Sequence, residues 1–149
     1  MTGGANSMDT YRRDGGRRRL QIVAAALALI PFVSGVAGMF VGPSALPGEH
    51  GRQLDASADS EYRFTNAFWF ATAPALWSAV PDIEKRGPRL RAVCAVVFLG
   101  GVARLLSWRR AGRPHPLFVA AIGLELVGMP ALVVWQALVE SRSRVEPPE

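Results

Sequence analysis

Two ionisable residues stand inside apolar runs of this chain: Arg104 in FLGGVARLLS (98–107) and Glu125 in GLELVG (123–128). A charge at membrane depth is costly unless it is paired, hydrated or able to snorkel, so each marks a functional position by default. An arginine and a glutamate there can pair, and the glutamate can handle a proton. Counted inward from the turn between the two runs, Arg104 lies four residues below Trp108, about 6 Å, and Glu125 eight below Leu117, about 12 Å. A long arginine side chain bridges that difference. Glu61, Arg63 and Asn66 open another apolar run, and Arg63 and Asn66 share a helical face at i, i+3. With Ser107 and Arg113 they complete an expected polar cleft, Glu61, Arg63, Asn66, Arg104, Ser107, Arg113 and Glu125. Gly100 and Gly101, one turn before Arg104, leave a thin wall where a helix or ligand can approach. The structural alternatives are an Arg104–Glu125 ion pair that only fixes helix register, an Arg104 that snorkels to headgroups, and a Glu61/Arg63 pair that merely starts a helix.

Other chemistries find little footing. His115 sits between Pro114 and Pro116, His50 belongs to another loop, and no HxxH or HxxE spacing exists, so no metal site is expected. The lone Cys94 rules out an internal disulfide or a CxxC pair and reads as small-residue packing. There is no nucleophile elbow and no phosphate loop. No catalytic residue and no cofactor are assigned.

The elements that must position these residues are four apolar runs, 20–41, 64–80, 92–108 and 117–139. Runs of about 17–25 apolar residues are what a helix needs to cross a bilayer core. The expected fold is therefore all-α, an integral membrane four-helix bundle. Residues 1–19 read as a disordered basic tail and 140–149 as a polar tail. Arg17, Arg18 and Arg19 before an apolar run resemble a signal n-region, but the run is longer than a normal h-region and an uncleaved helix is expected. Ser34, Gly38 and Gly42 form a small-xxx-small face, for a second copy or for a helix of the same bundle. Asp59 or Ser60 is the expected cap of the second helix, the weakest of the four, and Trp69 and Trp77 read as its interfacial anchors.

The net charge of +5 and pI near 10.6 place basic residues beside apolar runs, which is an orientation signal and not a nucleic-acid footprint. Eleven of them (Arg12, Arg13, Arg17, Arg18, Arg19, Lys85, Arg86, Arg89, Arg91, Arg142, Arg144) fall on the amino-terminal side and five (Arg52, Arg63, Arg109, Arg110, Arg113) on the other. Both termini are thus expected in the cytoplasm, with the 109–113 cluster dissenting. Only Lys85 is lysine among seventeen basic residues, an arginine bias that fits a high-GC bacterial genome and an inner-membrane location.

DSEYRF (59–64), FLGGVARLLS (98–107), GRPHPLF (112–118) and GLELVG (123–128), in this order, resemble the bacterial membrane family called domain of unknown function 4345. The resemblance runs from about Leu20 to Ala137. It implies a four-helix integral membrane fold and, as the name says, no established activity. By layout alone the chain is also similar to four-helix DoxX-type membrane proteins. The expected function is non-enzymatic binding of a small amphiphile or a protein partner in the outer-leaflet cleft. The alternatives are an auxiliary subunit or homo-oligomer in a membrane complex, and a quinone-linked or proton-handling accessory using Glu125.

Overall fold

The computed structural model describes the backbone of residues 3–48 and 54–144 and the side chains of 15–48 and 54–143. His50, Arg52 and the tail beyond 144 lie outside the described residues. Helix α1 is Gly3–Phe40, α2 is Ala56–Trp77 and α3 is Gly87–Ala111. The fourth rod is continuous: α4, Pro116–Gly123, a π-helical turn, Leu124–Gly128, and α5, Met129–Arg144. A short 3-10 turn, Pro43–Ala45, follows α1. The described residues are all helix and turn, and the expected count of four helices is met.

Every helix begins before its apolar run, because helices start at caps and not where polarity ends, and α2 stops at Trp77, short of the expected 80. α1 starts at Gly3, so the stretch read as a disordered tail over 1–19 is helical from residue 3. α2 begins at Ala56 and not near 64. Its cap is Asp55 rather than Asp59 or Ser60, one Asp55 oxygen accepting from the amides of Ser57 and Ala58, both at 3.0 Å. α3 starts on Pro88, whose missing amide is harmless in a first turn, and stops at Gly112, where φ is +93°. The π turn has a visible cause. Pro130 has no amide to continue the i→i−4 ladder, and just before it the Met129 amide reaches back five residues to the Leu124 carbonyl.

α1 packs along α2 and α3 along the fourth rod, giving two antiparallel hairpins that meet through α1 with α5 and α2 with α3. The shared core is built from Leu20, Ala24 and Ala28 of α1, Ala73, Leu76, Ala79 and Ile83 around the end of α2, Leu90, Cys94 and Val97 of α3, and Met129, Leu132 and Val139 of α5. All of these lie toward the 78–86 turn. Toward the opposite end, where residues 112–115 join α3 to α4, α4 and the π turn pack on α3. There the burial is within hairpins. A Cβ at Gly35 would meet Phe70 backbone at 2.8 Å, and one at Gly38 would meet Asn66 at 2.2 Å.

Three helical stretches are long and apolar enough to cross a membrane: Gly15–Phe40, Gly87–Ala111 and Pro116–Ser143. α2 falls short because Asp59, Glu61 and Arg63 occupy its first half. Large apolar side chains remain exposed on all the helices, among them Val33, Phe40, Phe68, Leu99, Val127 and Val134. Many of a soluble bundle's exposed positions would be charged.

Candidate functional site

Arg104 and Glu125 meet. Arg104 Nε stands 3.2 Å from Glu125 Oε1, joining α3 to the π turn. Gly101 makes the approach possible: a Cβ there would fall 2.8 Å from the Glu125 Cβ. Phe118, one turn into α4, lies under the guanidinium at 5.4 Å from its ring centroid, a cation–π contact. The partners differ in exposure, with 40% of the Arg104 side chain accessible and 6% of Glu125. Glu125 Oε2 is buried and has no hydrogen-bond partner. An arginine and a carboxylate usually meet as a two-bond fork. Here the second carboxylate oxygen is without a hydrogen bond, and the terminal Arg104 nitrogens make none among the described residues.

The other expected cleft residues do not join this pair. Arg63 is held within the first hairpin. Its Nε donates to Asp59 at 2.7 Å, and Nη1 donates to the Met39 carbonyl at 2.6 Å, so the guanidinium caps the end of α1. Gly42, with φ +81°, gives it room, since a Cβ there would meet Arg63 Nη2 at 2.6 Å. Asn66 donates to the Tyr62 carbonyl of its own helix and packs on Gly38. Glu61 is exposed. Ser107 and Arg113 are exposed at the same end as the pair. His115 caps α4, Nδ1 accepting from the Leu117 amide at 3.3 Å, and among the described residues no three His, Cys, Asp or Glu side chains gather as a metal cluster would.

The Ser34, Gly38 and Gly42 face is turned to α2. Ser34 Oγ accepts from Trp69 Nε1 at 2.8 Å, and Trp77 Nε1 donates to the Ala25 carbonyl at 3.1 Å. The two tryptophans are therefore struts between α1 and α2, not the interfacial anchors expected of them. The mid-helix depth of Trp69 was the available signal.

A second polar cluster, at the 78–86 end, was not anticipated. Gln136 is fully buried. It donates to the Ile83 carbonyl and to Glu140 Oε2, both at 3.1 Å, and accepts from Arg91 Nη1 at 3.0 Å. Gly87 lets the three side chains close in, as a Cβ there would stand 2.6 Å from Gln136 Nε2. Nearby, Arg17 pairs with Glu84 at 3.0 Å, Gln21 donates to the Val80 carbonyl at 2.9 Å, and Arg86 bonds the Ser78 carbonyl. The readable signal was a glutamine inside the last apolar run with Glu140 at i+4. It carries no charge, so it does not stand out as Arg104 does.

A family model described as Domain of unknown function (DUF4345) matches residues 19–136, and the chain belongs to that family. No curated protein and no solved structure matches it.

Proposed function

We propose that this member of the DUF4345 family is a four-pass protein of a bacterial inner membrane, both termini cytoplasmic, that binds a small amphiphile without catalysing a reaction. The observation that carries the reading is an ion pair within the apolar stretches of two helices, with the glutamate buried and the arginine 40% exposed. A purely structural pair would gain from closing both partners away from hydrocarbon, whereas a half-exposed arginine has donors to offer a ligand. The packing agrees. Near the 112–115 end the helices associate by hairpin, and that end is the outer-leaflet side once the eleven basic residues are placed inside. The part of the outer rim that belongs to the cleft is Arg104, Ser107, Arg113 and Glu125. Arg63 and Asn66 serve the first hairpin, and Glu61 is exposed.

Native mass spectrometry of the full chain in mild detergent tests this. Wild type is expected to carry a bound amphiphile that Arg104→Leu loses while remaining helical and monodisperse. Wild-type protein that sheds every amphiphile as readily as an unrelated four-helix control would overturn the reading.

A further inference from the structure

We infer that the amphiphile carries a phosphate headgroup, held by the terminal nitrogens of Arg104 with the Ser107 hydroxyl beside them. The inference rests on the amphiphile-binding reading and adds the headgroup chemistry.

Four observations point there. First, Arg104 approaches Glu125 with Nε at 3.2 Å and stacks on Phe118, while Nη1 and Nη2 make no hydrogen bond among the described residues. The free edge of a guanidinium matches two non-ester oxygens of a phosphate, which a lysine ammonium does not. Second, Ser107 lies one turn from Arg104 at i+3, is exposed, and makes no hydrogen bond among the described residues. Third, Gly100 lies one turn the other way at i−4 and has no atom within 4 Å of where a Cβ would stand, so the arginine can be reached along the helix surface. Leu99 and Leu106 on the same helix are exposed and suit acyl chains.

The fourth observation is electrostatic. From Arg104 to Pro116 the chain holds four arginines and no acidic residue. Arg109, Arg110 and Arg113 are exposed and make no ion pair among the described residues. On the outer side these cations run against the positive-inside pattern, so orientation does not account for them. An anion at the end of α3 does. Glu125 is here a positioning residue: it neutralises Arg104 in part and stands at its Nε, while 40% of the Arg104 side chain stays accessible.

The test is native mass spectrometry of the full chain titrated with phosphatidylglycerol and, separately, with diacylglycerol of the same chains. Wild type is expected to retain the phospholipid about tenfold better. Arg104→Gln should bring that ratio near one, and Arg104→Lys, which keeps the charge and loses the fork, should leave a reduced preference. Glu125→Gln should lower the preference while chain binding persists. If Arg104→Gln fails to fold, Arg104→Lys carries the comparison, and an undiminished preference there overturns the inference. Inorganic phosphate added to the complex separates the sources: displacement marks a free phosphate site and retention a lipid one, and both support phosphate recognition. Equal retention of the two lipids by wild type overturns the headgroup inference and leaves amphiphile binding standing. Retention of neither removes the amphiphile reading itself.

Discussion

At the residue scale, Arg104 and Glu125 decide between a strut and a site. Stranding either in hydrocarbon costs roughly 2.5–3.5 kcal/mol on insertion scales. Removing Arg104 leaves Glu125 buried and unpaired, and removing Glu125 leaves Arg104 unpaired among apolar side chains, so either single loss costs more than removing both. Arg104→Leu and Glu125→Leu are each expected to lower stability in detergent, and the double variant to recover about 1–2 kcal/mol of the loss as coupling. Additive losses in that cycle would mean the two side chains do not interact. Gln136 sets a comparison. Its side chain is fully buried and makes three hydrogen bonds, so Gln136→Leu should cost about 1–3 kcal/mol by orphaning its partners. A variant as stable as wild type would contradict that network. Gly38→Leu tests the hairpin contact. The side chain would collide with Asn66, and overpacking of this kind costs about 1–3 kcal/mol, so an unchanged melting temperature would place Gly38 elsewhere.

At the element scale, the four apolar runs, the Arg104–Glu125 pair and the internal use of the Ser34/Gly38/Gly42 face were all readable. Charge inside an apolar run and small residues at four-residue spacing each have one cheap solution, burial against a neighbouring helix. The helix bounds were not readable, because Asp55, Pro88 and Gly112 end the helices beyond the hydrophobic signal. Arg63 and Asn66 share a face as expected, yet that face meets α1. Which neighbour a face finds is set by packing across the chain and not by local spacing. The π turn was also hidden, although Pro130 was its cue. Pro130→Ala restores an amide and should let the rod continue as α-helix, turning residues on either side relative to one another by about 100°, one residue's rotation. The Arg104–Glu125 coupling should then fall in the same mutant cycle. Undiminished coupling would show that the π turn does not aim Glu125.

At the scale of the whole molecule, two hairpins share a core at the 78–86 end and pack by hairpin at the other. That arrangement combines a fixed base, closed by Gln136 and Arg91, with a more open end carrying Arg104. It suits the proposed binding of an amphiphile at the end that carries Arg104. The reading depends on α2, whose charged first half makes it the least apolar helix. Arg63 and Asp59 are used at the end of α1, and in the proposed four-pass arrangement the part of α2 from Phe64 onward is what would have to cross. The most direct measurement is thiol accessibility across α2, in a Cys94→Ser background with single cysteines at Ser44 or Lys85. A membrane-impermeant maleimide applied to intact spheroplasts should label Ser44→Cys at once and Lys85→Cys only after permeabilisation. Labelling of both positions from the same side would contradict the four-pass account.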